Sequence, residues 1–282
     1  MNAIEINSLT KSYKDFTLNN ITIALPEGMI MGLVGENGAG KTTLIKALLG
    51  IHPIDSGSFT VLGCGDPRHN KPIMNDIGVV LDGNGLPSQL TVKEVSRVLS
   101  DIYSSWDQAY FDSLCTKLEL PQNKKCFELS RGNGMKAQII CALSHHPKLL
   151  ILDEATSGLD PVVRDEFLDL FLEFTRDEQH SILMSSHIVS DLEKACDLIT
   201  FLHKGNLLLS EEKDTLKDMY RMVHCPKKTL AEIDSAAVIG IRENAYGAEA
   251  VVKKDAIPAG MESFPADLEE LFVLMVKGEL KK

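Results

Sequence analysis

The first third of the chain consists of short apolar segments separated by turn-forming residues. Apolar and β-branched residues dominate stretches of four to seven residues, which are typical of β-strands. We therefore predict strands at residues 4–9, 18–24, 29–34 and 58–61. Between them, residues 26–28 and 55–57 combine glycine with proline, aspartate or serine, as tight turns do.

The middle of the chain changes to a helical pattern from about residue 91 to residue 118. Apolar residues recur there at the three-to-four spacing of an amphipathic helix, namely at Val92, Val95, Val98 and Leu99. Residues 149–152 then form a continuous apolar run of strand length. Such a run is expected of a strand that is buried on both faces of a parallel sheet.

Helices and strands continue to alternate beyond this buried run. Asp160 followed by Pro161 predicts the start of a helix, because aspartate is a common N-cap and proline suits the first helical turn. A strand at residues 181–184 and a helix at about 190–196 follow. This alternation predicts an α/β fold.

The last quarter of the chain has a different character. Residues 238–241 and 248–252 resemble two strands around a turn at 243–247. One apolar helical face is predicted from residue 267 onward, formed by Leu268, Leu271, Phe272, Met275 and Val276. We therefore predict a main domain at residues 1–210 and a small accessory domain at 211–282.

Composition narrows the possible partners of the protein. The chain has 282 residues, of which 44% are hydrophobic, and its net charge is −11. An acidic protein is poorly suited to broad nucleic-acid binding, because phosphate contacts need a basic surface. No apolar run reaches the roughly 20 residues that a membrane span needs, and the N-terminus does not resemble a signal peptide. The six cysteines form no Cys-x-x-Cys pair, which favours reduced thiols in the cytosol over a zinc site.

The strongest chemical signal is a glycine-rich loop between a predicted strand and a predicted helix. Residues 35–42 have the sequence Gly-Glu-Asn-Gly-Ala-Gly-Lys-Thr, which matches the phosphate-binding loop Gly-x-x-x-x-Gly-Lys-Thr. Its backbone N–H groups and the following helix N-terminus would face phosphates, Lys41 would neutralise them, and Thr42 would bind Mg²⁺. The predicted nucleotide-binding residues are Gly35, Asn37, Gly38, Ala39, Gly40, Lys41, Thr42 and Thr43.

Two carboxylates follow the buried strand at 149–152. Asp153 and Glu154 would lie outside the carboxyl end of this strand, where ligands of open α/β sheets bind. We expect Asp153 to hold Mg²⁺ and Glu154 to orient or deprotonate an attacking water.

The order of these motifs resembles the ATP-binding subunit of ABC transporters over residues 4–210. Tyr13 matches the aromatic residue that stacks on adenine in that family. Residues 129–133, Leu-Ser-Arg-Gly-Asn, resemble its Leu-Ser-Gly-Gly-Gln signature through Ser130 and Gly132. Residues 157–160 match the loop that communicates across the dimer, which includes Asp160, and His187 matches the switch histidine that senses the γ-phosphate.

The resemblance implies both an architecture and a mechanism. It implies a P-loop NTPase core of ABC ATPase type with an antiparallel β subdomain, a helical subdomain at about 83–147 and a small α+β C-terminal region. It further implies ATP and Mg²⁺ as ligands and catalytic roles for Glu154, His187 and Lys41. Two ATP-binding subunits, identical or different, would close head to tail on two ATP molecules, with Ser130 and Gly132 of one facing Lys41 and Glu154 of the other. Such a protein would be cytoplasmic and held at the membrane by separately encoded transmembrane permease subunits.

Two positions depart from the family pattern. Asp82 replaces a glutamine that binds Mg²⁺ and links the site to the membrane partner, and Arg131 replaces the first signature glycine. We expect Asp82 to keep the magnesium-linked role, because its flanking residues align without a gap. Residues 265–278 also resemble the C-terminal end of ATPases that serve peptide, drug and antibiotic exporters. This helix either packs on its own domain or has a dimerisation or regulatory role.

Three functions are therefore compared. The first is an ATPase that powers export through separate membrane subunits. The second is a soluble ABC-type ATPase that acts on ribosomes or DNA, but such proteins usually have two nucleotide domains, long coiled coils or basic arms. The third is a nucleotide switch without turnover, and the presence of Glu154 and His187 argues against it.

Overall fold

The computed structural model describes residues 1–83, 85–230, 232–243 and 247–279. Its strands are β1 (Asn2–Ser12), β2 (Thr17–Pro26), β3 (Ile30–Val34), β4 (Ser56–Val61), β5 (Ile77–Val80), β6 (Leu149–Asp153), β7 (Ser181–Ser186), β8 (Leu198–His203), β9 (Asn206–Glu212), β10 (Tyr220–Cys225), β11 (Val238–Glu243), β12 (Ala248–Lys253) and β13 (Ser263–Pro265). Its α-helices are α1 (Lys41–Leu48), α2 (Lys71–Asn75), α3 (Val92–Ile102), α4 (Gln108–Lys117), α5 (Arg131–Leu143), α6 (Pro161–Phe174), α7 (Val189–Ala195), α8 (Lys213–Met219), α9 (Lys227–Leu230) and α10 (Leu268–Glu279).

The main sheet combines a parallel part with an antiparallel part. Within the described residues it has nine strands in the order β4-β1-β2-β9-β8-β3-β7-β6-β5. The strands β8, β3, β7, β6 and β5 pair in parallel, whereas β1 pairs antiparallel with both β2 and β4. The α/β prediction and the expected antiparallel β subdomain are therefore confirmed. The carboxyl ends of the parallel strands meet at one edge, which is where ligands bind in open α/β sheets.

The strand run predicted at 149–152 lies in the interior of this sheet. Every residue of β6 is buried, as is every residue of its neighbour β7. Burial on both faces explains why the sequence shows a continuous apolar run and no alternation. It also fixes where Asp153 emerges, since Asp153 is the last residue of β6.

The helical pattern at 91–118 corresponds to two helices, α3 and α4. Thr91 caps α3 with a capping box that includes Glu94, and Asp107 caps α4 by accepting a hydrogen bond from the Tyr110 N–H. The expected helical subdomain at 83–147 contains these two helices and α5. None of the helices in the described part of the chain combines the length and the apolar composition needed to cross a bilayer.

The main sheet extends further than the sequence indicated. The strands β8 and β9 were not predicted, and the expected domain boundary at 210 falls inside β9, which pairs antiparallel with β8 from Leu198↔Glu212 to His203↔Asn206. A boundary inside a paired strand would split the sheet. We therefore place the division after Glu212, as a proposal.

The C-terminal region forms a second sheet of four described strands in the order β11-β12-β10-β13. The strands predicted at 238–241 and 248–252 lie within β11 and β12, while the turn expected at 243–247 includes residues 244–246, which lie outside the described residues. Helix α10 packs on β11 and on α7 of the main domain. The ring of Phe272 lies 5.1 Å from that of Phe201 in β8. The tail helix therefore packs on its own chain.

Candidate functional site

The phosphate loop connects β3 to α1 at the ligand-binding edge of the sheet. Gly38 and Gly40 have φ values of +83° and +112°, which glycine adopts without strain. Gly40 is the N-cap residue of α1 and has no capping side chain, so the amides of the first helical turn stay available to an anion. A Cβ atom at Gly35 would lie 2.7 Å from the Leu202 carbonyl oxygen, which allows only glycine there.

Lys41 lies at the start of α1 with its side chain buried. Its Nζ donates to the carbonyl oxygen of Gly35 at 2.7 Å and lies 3.1 Å from Glu154 Oε1. A buried ammonium requires charged or polar partners, and these acceptors provide them. The predicted lysine and the predicted acidic residue are thus in direct contact.

Glu154 adopts an unusual backbone conformation directly after β6. Its φ is +53°, in the left-handed region that non-glycine residues seldom occupy. Its N–H donates to Ser185 Oγ at 3.0 Å, which stabilises that conformation. Glu154 Oε2 lies 2.6 Å from Nδ1 of His187. The carboxylate is therefore held between Lys41 on one oxygen and His187 on the other.

The two carboxylate oxygens of Asp153 differ in their hydrogen bonding. It is buried, and its Oδ1 accepts a hydrogen bond from Ser185 Oγ at 2.6 Å. Asp153 Oδ2 is also buried but has no hydrogen-bond partner among the described residues. A carboxylate oxygen of this kind, with the Thr42 hydroxyl, suits the oxygen chemistry of Mg²⁺. The described residues contain no group of three His, Cys, Asp or Glu placed to hold a metal, and Mg²⁺ in nucleotide sites takes most ligands from phosphate and water.

A cavity of about 440 Å³ opens over the phosphate loop. It is lined by residues 36–43, by Glu154, by Asp82 and by Phe16. Asp82 was predicted as a magnesium residue from the resemblance, and the structure brings it to the same cavity as Thr42. The loop and Lys41 suit a polyphosphate, and the carboxylates of Asp82 and Glu154 in the same lining suit a metal ion and a water beside it.

Tyr13 does not line this cavity, and its stacking on adenine stays a prediction. Its ring is 42% exposed and makes an edge contact with His52, with Lys11 Nζ 5.4 Å from the ring centroid. Phe16 lines the cavity instead, with its ring against Gly40. The chain turns back between the two aromatic residues, where β1 ends and β2 begins, and the spacing alone does not show which ring faces the loop.

The signature residues lie apart from the phosphate loop of their own chain. Ser130 is the N-cap of α5 and accepts a hydrogen bond from the Asn133 N–H at 3.3 Å. Asp160 caps α6, and its Oδ1 accepts from the N–H groups of Val162 and Val163. Neither these two residues nor Gly132 lines the phosphate-loop cavity. Their predicted contacts with a nucleotide therefore depend on a second subunit and remain a prediction.

The two departures from the family pattern lie next to each other. Arg131 Nη2 lies 3.9 Å from Asp82 Oδ1. The Arg131 guanidinium also packs against Gly158, since a Cβ atom there would lie 3.0 Å from Cζ. Arg131 and Asp82 both line a second cavity of about 290 Å³ beside Ser130. Arg131 thus connects the segments that follow β5 and β6.

The sequence was compared with known families and proteins. It matches the family described as ABC transporter over residues 18–157. It is 32% identical over 218 residues to the ABC transporter ATP-binding protein YtrB of Bacillus subtilis (strain 168), covering 77% of this chain and 74% of that protein. It is 33% identical over 221 residues to the bacitracin transport ATP-binding protein BcrA of Bacillus licheniformis, covering 77% of this chain and 72% of that protein.

The fold was compared with solved structures. A structure described as the ATP-binding subunit of an ABC transporter superposes with a TM-score of 0.67 at 25% sequence identity. The match covers 76% of this chain and 92% of the other chain. The predicted fold class is therefore confirmed over the larger part of the molecule.

Proposed function

This chain belongs to the ABC transporter family as one of its ATP-binding, ATP-hydrolysing proteins, and from that membership we propose that it powers an exporter through separate membrane subunits. The observation that supports the catalytic part of this proposal is the line of contacts from Lys41 through Glu154 to His187 above the phosphate loop. These contacts join the proposed phosphate-binding cation Lys41, the proposed base Glu154 and the proposed γ-phosphate sensor His187.

In the proposed nucleotide complex, the loop residues 35–43 bind the phosphates. Phosphate oxygens would compete with Gly35 O and Glu154 for the Lys41 ammonium, because these two acceptors hold it in the absence of nucleotide. The α1 N-terminus adds aligned amides to the same region. Phosphate binding would thereby release one oxygen of Glu154 to accept a proton from water.

Asp153, Thr42 and Asp82 are the residues proposed to hold Mg²⁺. Bound by these residues, Mg²⁺ would supply positive charge that offsets the charge developing on the phosphates during phosphoryl transfer. Asp153 is pre-oriented for this role by the Ser185 hydroxyl, which occupies its other oxygen. Fixing the carboxylate in this way lowers the ordering cost of binding the ion.

Glu154 is proposed to orient and deprotonate the attacking water, and His187 to hold the carboxylate and contact the γ-phosphate. The hydrogen bond between Glu154 Oε2 and His187 Nδ1 fixes the carboxylate plane, leaving Oε1 toward the loop. Such positioned base catalysis contributes about 10²–10⁴-fold to the rate.

The proposed working unit contains two ATP-binding subunits. Ser130 and Gly132 lie outside the cavity of their own chain, and the N-terminus of the thirteen-residue helix α5 begins at this segment. We therefore propose that these amides face the γ-phosphate held by the other subunit, and that the dimer binds permease subunits at the cytoplasmic face of the membrane.

The transport part of the proposal is supported by a relative. The similar protein from Bacillus licheniformis is named a bacitracin transport ATP-binding protein. The second candidate, an ATPase acting on ribosomes or DNA, gains no support from the relatives reported above, both of which are ABC transporter or transport ATP-binding proteins. We propose an amphiphilic peptide or antibiotic as the class of exported substrate.

The experiment that tests the proposal compares the wild-type chain with Glu154→Gln. We expect the variant to bind ATP at least as tightly as the wild type, because the phosphate loop is unchanged and the charge that competes for Lys41 is removed, and to lose at least about 10²-fold in kcat. Phosphate release and nucleotide binding are measured on the same preparations, and Glu178→Gln serves as a matched control at an exposed glutamate. Robust hydrolysis by Glu154→Gln would contradict the assignment of the base. Failure of the chain to purify with a membrane protein would contradict the transport assignment.

A further inference from the structure

An ionic contact between a partly buried arginine and a buried aspartate joins α6 to α7. Asp191 lies in the first turn of α7 and is only 4% exposed. Its Oδ1 lies 3.6 Å from Nη1 of Arg164, which comes from α6. No motif in the sequence singled out either residue.

The contact lies between the two segments that contain the catalytic side chains. Asp191 follows His187 by four residues, and the neighbouring Thr156 follows Glu154 by two. The Thr156 hydroxyl is close enough to influence the Asp191 carboxyl, but its geometry is not that of a hydrogen bond. Asp191 Oδ2 and Thr156 Oγ1 are buried and have no hydrogen-bond partner among the described residues. The cluster is therefore polar, enclosed and incompletely satisfied.

Such a cluster is a poor source of stability. Burial raises the pKa of Asp191 above its usual value, although Thr156, Arg164 and His187 each oppose the shift. A carboxyl with a raised folded-state pKa stabilises the fold below its unfolded pKa, and this contribution is lost as the pH rises through the folded pKa. Burial therefore penalises the charged form of Asp191 more than its neighbours compensate for it, so the contact is not explained by stability alone.

We propose that Asp191 is a positioning residue that, through Arg164, fixes α7 against α6 and thereby holds His187 in contact with Glu154. This inference rests on the proposed ATPase function of the site. Glu154 follows β6 and His187 follows β7, and Oε2 of Glu154 lies 2.6 Å from Nδ1 of His187. Their contact depends on how the segments after β6 and β7 are held relative to each other, and the Arg164–Asp191 pair spans these segments.

An exposed ionic contact between the same helices provides a control. Lys194 of α7 pairs with Asp165 at 2.5 Å and with Asp169 at 3.3 Å, both in α6, and all three side chains are at least 40% exposed. Exposed ion pairs contribute little, because water screens them. Lys194 also acts on the Asp191 carboxyl through its charge, but it makes no part of the Arg164–Asp191 contact, so Lys194→Ala removes an α6–α7 ion pair while keeping both partners of that contact.

The test measures kcat and KM for ATP in three variants of the full chain. For Asp191→Asn we expect kcat to fall about tenfold, since small displacements of catalytic groups are costly, while KM changes less than about twofold because the phosphate loop is untouched. The thermal midpoint at pH 7 should stay equal or rise. Lys194→Ala should retain wild-type kcat.

The third variant, Arg164→Met combined with Asp191→Leu, separates positioning from folding. Replacing a buried ion pair by apolar residues commonly preserves or raises stability. We expect this double variant to have a wild-type thermal midpoint and the same low kcat as Asp191→Asn. Wild-type kcat in either Asp191→Asn or the double variant would overturn the inference. An inactive wild-type chain would instead contradict the proposed function on which the inference rests.

Discussion

Asp82 is the residue that lines both the phosphate-loop cavity and the cavity beside the signature segment. Its side chain faces Arg131 at 3.9 Å on one side and the phosphate-loop cavity on the other. Aspartate in place of glutamine adds a negative charge close to where phosphates would bind, and Arg131 offsets part of it. Asp82 and Arg131 thus form a pair of opposite charges, although an ion pair this exposed contributes little to folding stability.

The magnesium role of Asp82 leads to a prediction for Asp82→Ala. We expect the concentration of Mg²⁺ that gives half-maximal ATP turnover to rise about tenfold, because loss of a carboxylate near a bound ion typically weakens binding by one to two orders of magnitude. Turnover measured over a Mg²⁺ titration checks this expectation. Asp101→Ala, at an exposed aspartate of α3, is the matched control. Unchanged Mg²⁺ dependence and transport coupling in Asp82→Ala would show that the alignment of this residue with the family glutamine has no functional meaning.

Among single residues, the sequence predicts those whose chemistry lies in one continuous stretch and misses those that the fold brings together from distant stretches. Residues 35–43 were identified because all of their chemistry lies in one stretch, with a strand before it and a helix after it. Ser185, which orients Asp153 and fixes the Glu154 backbone, is 31 residues from Glu154 and was not predicted. Its role arises from the pairing of β6 with β7, and strand order cannot be read from local patterns.

Among the elements, several with a clear apolar run or apolar face were predicted from the sequence. The buried strand β6 and the strand β3 were found from their apolar runs, whereas β9 escaped because its residues are half-exposed or exposed and its last three are polar. Helix α10 was found from its apolar face, but its partner surface was not. An apolar face shows that a helix packs against another part of the protein, but only the tertiary fold shows which surface that is.

The close contact between α10 and β11 leads to a prediction about the packing of these two elements. A Cβ atom at Gly240 would lie 1.9 Å from the Leu274 carbonyl oxygen, so the helix lies on the strand at a distance that only glycine permits. Because the obstacle is backbone, Gly240→Ala must displace α10, and we expect a loss of about 1–3 kcal/mol in the free energy of unfolding. Urea denaturation measures it. Gly260→Ala, at a glycine with open space around it, tests the positive φ of +87° without a clash. Equal stability of Gly240→Ala and the wild type would mean that α10 does not pack closely on β11.

For the whole molecule, the main question is whether the C-terminal region is an appendage or part of the ATPase body. One continuous cluster of buried apolar side chains contains residues of both regions, including Phe201, Leu216, Leu271 and Phe272. A separate cluster lies under the four-stranded sheet and includes Val223 and Ala250. The region thus has a small core of its own and is joined to the main domain by a shared core, which favours a single folding unit over two independent ones.

Phe272→Ala tests this shared core. Phe272 is 8% exposed and packs edge-on against Phe201, so its truncation leaves a cavity between the two regions. We expect a loss of about 3 kcal/mol in the free energy of unfolding, with one cooperative transition in both the wild type and the variant. Phe264→Ala, at a 44% exposed ring of β13, should cost less than about 1 kcal/mol. If the tail folded independently, Phe272→Ala would leave the main transition in place and produce a second, earlier one. Far-ultraviolet circular dichroism and ATP turnover measured along the same urea series distinguish these outcomes, because turnover reports the main domain alone.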